Sequence, residues 1–236
     1  MMDNRHSRTE MLIGKDAVER IKAAKVAIFG IGGVGGYALE ALVRAGVGEV
    51  LLVDSDRVCE SNLNRQIIAT EKTLGEYKTL AAEARAKEIN SEIRVVTREC
   101  FFSPENENDF DLSTFDYIID AIDSLPSKLA LIAKAKREGT RIISAMGAGN
   151  KLDPTKFEVS DISKTTVCPL ARAVRLGLRR LGINRLKVVY SKELPHREFA
   201  EGERAPASIS FVPSAMGLII AGEVIKDIAL GGNEEI

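Results

Sequence analysis

Residues 25–36 read KVAIFGIGGVGG, an apolar run that ends in clustered glycines and continues as YALEALVRAG over residues 37–46. Lys25–Gly30 has the length and the β-branched and aromatic content of a buried strand closed by glycine. Gly33–Ala45 places small residues first and apolar residues at helical spacing after them, so it reads as a helix. Glu49–Asp54 (EVLLVD) is a second strand. Strand, glycine turn, helix and strand in that order form a parallel βαβ unit. Gly30, Gly32 and Gly35 fit G-x-G-x-x-G at the turn, where glycines let a nucleotide approach the backbone and the positive end of the helix. Asp54 ends the second strand, where a carboxylate can accept the ribose hydroxyls. NAD and ATP enzymes share this signature, and both remain open at this point.

The same rhythm continues outward. Gly75–Asn90 reads as a helix, Ile93–Thr97 as a third strand and Asp116–Ile122 as a fourth. Leu125–Arg137 is a helix and Arg141–Ser144 a fifth strand. This alternation predicts an α/β fold: a Rossmann-like, mostly parallel sheet with helices on both faces. Past Gly149 the pattern changes. Phe157–Asp161 and Leu186–Tyr190 read as strands, Pro169–Leu181 as a basic amphipathic helix and Ala215–Leu230 as the last helix. We expect one domain: an N-terminal helix and arm over 1–24, a nucleotide-binding core over 25–150, and a substrate-binding C-terminal extension over 151–236.

Composition excludes several classes. With 45% hydrophobic and 28% charged residues the chain is an ordinary globular protein, not a disordered tail. Met1–Arg8 has no apolar signal core, and the apolar stretch 211–225 is too short and too interrupted to span a bilayer. A cytoplasmic protein without a transmembrane segment is expected, with weak association to anionic lipid open to its basic segment. Cys59, Cys100 and Cys168 form no C-x-x-C pair, and His6 and His196 are the two histidines, so no zinc site is expected.

The stretch after Asp54 separates the two nucleotide readings. SNLNRQ over 61–66, Lys78 at a helix start, and Asp120 and Asp123 at the end of the fourth strand surround the glycine turn with charge. Hydride transfer needs no such set. Nucleotidyl transfer does, because the triphosphate needs Arg or Lys to balance its charge and an acid to hold Mg²⁺. Arg65, Lys78 and Asp123 are therefore the candidate catalytic residues, with Asp123 as the metal ligand. The candidate nucleotide site comprises Gly30, Gly32, Gly33, Gly35, Asp54, Asp56, Asn62, Asn64, Arg65, Gln66, Lys78, Asp120, Asp123 and Ser124.

These separated motifs, VDSD at 53–56, SNLNRQ, Lys78 and D-A-I-D at 120–123, together resemble the ThiF/MoeB/HesA superfamily, the bacterial relatives of ubiquitin-activating enzymes. The resemblance implies ATP bound with Mg²⁺, phosphates held by Arg65 and Lys78, and adenylation of a carboxylate. It also implies a homodimer whose N-terminal arm, through Arg8 or Arg5, reaches the partner's ATP. One branch activates a ubiquitin-like sulfur carrier, often with paired C-x-x-C zinc motifs that this chain lacks. AMGAGNKLDP (145–154), VSDISK (159–164) and the Pro169-Leu170-Ala171 helix start resemble the other branch, the tRNA threonylcarbamoyladenosine dehydratases. That branch implies tRNA as the partner. A ubiquitin-like carrier, or a cysteine-desulfurase or other sulfur-acceptor partner, is what the first branch implies.

Charge points the same way. Residues 164–197 hold nine Lys/Arg against Glu193 alone, a net +8 in a chain whose total is −1. A phosphate backbone selects such a segment because each neutralised phosphate releases counterions. Arg172, Arg175 and Arg179 share one helix face by spacing and, with Arg180, are candidate RNA contacts. A basic helix docked on an acidic surface or dimer partner is the competing reading. Cys168, at the start of that helix, is either a filler or a thiol activated by the helix end and nearby cations.

Overall fold

The computed structural model describes residues 4–196 and 206–231. Its strands are β1 (Lys25–Phe29), β2 (Glu49–Val53), β3 (Arg94–Arg98), β4 (Tyr117–Asp120), β5 (Ile142–Ala145), β6 (Phe157–Asp161) and β7 (Lys187–Ser191). They form one seven-stranded sheet in the order β3-β2-β1-β4-β5-β7-β6. All neighbours are parallel except β6 and β7, which pair antiparallel. The fold is thus α/β with a mostly parallel sheet. The helices are α1 (Ser7–Ile13), α2 (Lys15–Ala23), α3 (Gly35–Ala45), α4 (Lys78–Ile89), α5 (Leu125–Arg137), α6 (Pro169–Arg180) and α7 (Phe211–Leu230).

Side chains of a strand alternate between faces, and the two cores follow that alternation. Val26 and Ile28 of β1 pack under α2, α3, α4 and α7, while Ala27 and Phe29 pack under α5 and α6. Both faces are covered, which is why these strands read as continuous apolar runs rather than alternating ones. The connection β1–α3–β2 lies on one face and β4–α5–β5 on the other. The adjacent strands β1 and β4 therefore mark the topological switch point, where a crevice opens beyond the strand ends.

Several boundaries differ from the sequence reading. The N-terminal segment is not one helix: Gly14, at φ +86°, separates α1 from α2. Helix α4 starts at Lys78 rather than Gly75, because Gly75 (φ +85°) belongs to a turn closed by an antiparallel bridge between Arg57 and Tyr77. Helix α7 starts at Phe211 rather than Ala215, since Pro213 falls in the first turn, where its missing N–H breaks no helical bond. Gly217 of α7 allows close packing on α3: a Cβ there would lie 2.3 Å from the Val34 carbonyl.

Candidate nucleotide site

The glycine turn sits at the switch point, and two of its glycines are sterically obligatory. Gly30 has φ +91°, and a Cβ on it would lie 2.6 Å from the Ala121 carbonyl oxygen of the loop after β4. A Cβ on Gly35 would lie 1.9 Å from the Gly30 oxygen. Backbone packing of this closeness brings the start of α3 down onto the ends of β1 and β4. Gly33 meets side chains rather than backbone: a Cβ there would lie 3.2 Å from Pro213 and 3.5 Å from the Arg65 Cγ.

Asp54 fixes the turn from the β2 side. Its carboxylate accepts the Ile31 N–H at 2.7 Å and the Asp56 N–H at 2.8 Å. Burial pushes this carboxyl above its ordinary range, and the opposing pull of Lys78 and the two N–H groups does not offset it. Asp56 carries Lys78: its carbonyl accepts the Lys78 N–H at 2.9 Å, and its carboxylate meets Nζ at 2.6 Å. The lysine side chain is 7% exposed and the aspartate 65%, so the counter-charge is the mobile, hydrated partner. The guanidinium of Arg57 stacks 3.7 Å over the Tyr77 ring and holds the residue before Lys78 in place.

Residues 61–66 form the third wall. Asn62 is buried, and its Oδ1 accepts the Cys59 N–H at 3.1 Å while its carbonyl accepts the N–H groups of Arg65 and Gln66. It shapes the loop. Arg65 is half-buried and donates to the Ser61 carbonyl at 2.7 Å and to Asn64 Oδ1 at 2.9 Å. Asn64 in turn donates to the Ser208 carbonyl at 3.1 Å. Gln66 is buried, and its Oε1 has no hydrogen-bond partner among the described residues. Its Nε2 would lie 4.0 Å from a Cβ on Gly32, so an unsatisfied amide lies beside the glycine turn.

The two aspartates after β4 have different fates. Asp123 is exposed and makes no hydrogen bond or ion pair among the described residues, while the neighbouring Ser124 caps α5 without a side-chain bond. Asp120 corrects the sequence reading. It is fully buried and its oxygens are taken by Lys128 Nζ at 2.8 Å, by the Ser144 hydroxyl and by the Ile122 N–H at 3.1 Å. Lys128, which sequence reasoning missed, is also fully buried and donates in addition to Ser144 Oγ and the Ala145 carbonyl. The sequence signal was slight: a lysine on the apolar face of α5, eight positions after a strand-end aspartate.

No group of three His, Cys, Asp or Glu among the described residues is arranged to hold a metal ion. A lone free carboxylate on the loop after β4 suits Mg²⁺ that arrives on a nucleotide, which binds through one or two carboxylates and the phosphates.

The basic segment is less uniform than its composition. Arg175 donates to the Thr165 hydroxyl at 2.6 Å and carbonyl at 3.0 Å, so it tethers the chain before α6, and it also lines the groove at the start of that helix. Lys187 is paired with Glu223 and Asp227, and Lys192 with Glu158. Arg197 and most of the loop 192–208 lie outside the described residues. Arg172, Arg179 and Arg180 remain exposed along α6, and Arg172 lines a groove of about 520 Å³ at the start of that helix. Cys168 is buried under Gly147, its sulfur 3.6 Å from where a Cβ would stand. On the N-terminal arm Arg5 and Arg8 are both exposed; Arg5 donates to Asn90, and Arg8 makes no hydrogen bond or ion pair among the described residues.

An open α/β sheet with its glycine turn at the switch point, and with Arg65, Lys78 and Asp123 on three separate walls around it, has nucleotide-binding architecture. Residues 6–235 match the ThiF family, and the chain belongs to that family. The chain is 39% identical to the tRNA threonylcarbamoyladenosine dehydratase of Bacillus subtilis, over 96% of its own length and 95% of the relative's. The crystal structure of the Escherichia coli tRNA N6-threonylcarbamoyladenosine dehydratase in complex with ATP superimposes with a TM-score of 0.90 and 32% identity, covering 96% of this chain and 94% of that one. Escherichia coli MccB with ATP shares the fold alone, at a TM-score of 0.71 and 20% identity, covering 99% of this chain and 66% of that one. No helix among the described residues is long and apolar enough to cross a membrane.

Proposed function

We propose that this chain is an ATP-dependent tRNA threonylcarbamoyladenosine dehydratase. The observation that carries the reading is its likeness over nearly the whole chain to relatives of that name, one of them solved with ATP. The site supplies the chemistry such a reaction needs. Adenosine enters on the β2 side, where the Asp54 carboxylate faces the ribose and the orphaned Gln66 amide offers a partner. The triphosphate lies along the start of α3, and Lys78 exchanges its hydrated Asp56 counter-ion for phosphate oxygens. Arg65 balances charge from the opposite wall. Asp123 would hold Mg²⁺, which when bound neutralises charge on the phosphates.

The threonyl carboxylate attacks the α-phosphorus, pyrophosphate leaves, and an acyl-adenylate forms. Charge grows on the leaving phosphates, and Lys78 and Arg65 are placed to stabilise it. An atom of the same modified side chain then attacks the activated carbonyl and loses its proton as AMP departs. The product is a ring, one water lighter than the substrate. Because that attack is intramolecular, proximity supplies the nucleophile and no protein thiol is needed. The buried Cys168 fits a chemistry that does not require it.

Within this reading Arg172, Arg179 and Arg180 contact the tRNA backbone, Arg8 serves a partner subunit's site in a homodimer, and the enzyme works in the cytoplasm. Carrier adenylation is the second reading, supported by the 39% identity over 116 residues to a sulfur carrier protein adenylyltransferase of Thermus thermophilus, 49% of this chain and 42% of that relative. ATP–pyrophosphate exchange separates the two. Exchange stimulated by threonylcarbamoylated tRNA, and not by a carrier ending in Gly-Gly, is expected; stimulation by the carrier alone would contradict the dehydratase reading.

A further inference from the structure

Lys151 is a buried cation whose charge nothing in the described chain answers. The residue is 5% exposed, forms no ion pair among the described residues, and makes one hydrogen bond, from Nζ to the Gly149 carbonyl at 3.3 Å. A lysine ammonium has three protons to place, and an ion left unpaired in the interior is strongly disfavoured. The contrast with Lys128 is direct, since that lysine gives its protons to a carboxylate, a hydroxyl and a carbonyl.

The chain on either side is tied down. Asn150, at φ +57°, donates its N–H to the Ala207 carbonyl at 2.8 Å and accepts the Ala207 N–H on Oδ1 at 2.8 Å. Its carbonyl accepts the His196 N–H. On the other side Glu193 accepts the N–H groups of Leu152 and Asp153, each at 2.9 Å. Pro206 and Ala207, which lie against Gly149 and Asn150, are themselves exposed, so these covering residues belong to the molecular surface.

The location relates Lys151 to the nucleotide site. Along the strand ends the order is Asp54 after β2, the glycine turn after β1, Asp123 after β4, and the Lys151 segment after β5. Asn64 bonds the Ser208 carbonyl, and the adjacent Ala207 is the partner of Asn150. Lys151 thus stands on the β5 side of Asp123, across the crevice from the Asp54 and Lys78 wall that takes the nucleotide.

We propose that Lys151 binds an oxyanion of the acceptor tRNA, either the threonyl carboxylate awaiting adenylation or a backbone phosphate next to it; this rests on the dehydratase reading above. The bound oxyanion supplies the counter-charge that Lys151 lacks among the described residues.

The test compares Lys151→Met, Lys151→Gln and Lys151→Arg with the wild type for melting temperature, ATP affinity, and affinity for threonylcarbamoylated and unmodified tRNA. For Met and Gln, the expected results are an undiminished melting temperature, ATP affinity within about twofold, and a loss of about tenfold or more in affinity for the modified tRNA. Arg should recover part of that loss. A loss confined to modified tRNA identifies the carboxylate, and an equal loss for both tRNAs identifies the phosphate. Unchanged tRNA affinity, or a fall in ATP affinity alone, would overturn the proposal. Wild-type protein without tRNA-dependent ATP turnover would instead remove the dehydratase reading itself.

Discussion

Lys128 Nζ lies 2.8 Å from Asp120 Oδ2, and neither side chain has any solvent exposure. The pair joins the first turns of α5 to the ends of β4 and β5. Asp120 also holds the Ile122 N–H, one residue before Asp123. The position of the free carboxylate is therefore set by a buried salt bridge beneath it.

Breaking that pair should cost more than replacing it. Lys128→Met leaves Asp120 buried and uncompensated, and a loss of about 3–5 kcal/mol in unfolding free energy is expected from urea titration. Adding Asp120→Leu should restore much of the stability but not the turnover, because the Ile122 anchor is then gone. Full recovery of both would show that the pair does not position the loop.

Lys78 should matter for ATP and little for folding, since its partner Asp56 is already hydrated. Lys78→Ala removes a charge-assisted contact of about 1.5–3 kcal/mol, or about 10- to 100-fold in ATP affinity by calorimetry. The melting temperature should change by only a few degrees.

Asp54 predicts a pH effect of opposite sign on binding and on stability. Its folded pKa is raised by burial above the ordinary value of 3.8. The folded protein therefore takes up this proton before the unfolded chain does. The resulting stabilisation is complete below the unfolded pKa and is lost as pH rises through the folded pKa. Protonation also removes the carboxylate that would accept ribose hydroxyls. ATP affinity should thus fall on the acid side at a higher pH than for an exposed carboxylate, and Asp54→Asn should abolish that limb.

Gly35→Ala places a methyl group 1.9 Å from the Gly30 oxygen. The turn cannot absorb this without moving α3. We expect a loss of at least about 1–3 kcal/mol and no measurable ATP binding. Retention of wild-type affinity would contradict the described turn.

The sheet was legible because strands buried on both faces announce themselves as short apolar runs, and the glycine turn because its spacing meets a steric need. Helix starts were less so. Gly75 reads as helix until the pairing of Arg57 with Tyr77 is known, and Pro213 reads as a start because its place inside a first turn depends on packing against α3. Burial of charge was not legible at all. Asp120 reads as a ligand, and only partners brought in from β5 and α5 show it buried and paired; Arg175 reads as a free cation, and only the segment before α6 shows it hydrogen-bonded to Thr165. Lys128 carries only the slight signal of its place on the apolar face of α5, and Lys151 is indistinguishable in sequence from a surface lysine.

The most direct test is the mass of the modified nucleoside after threonylcarbamoylated tRNA is incubated with this protein and Mg·ATP. A loss equal to one water, dependent on ATP and absent with Asp123→Ala, is the expected result. An unchanged nucleoside mass in the presence of ATP and the intact protein would contradict the assigned function.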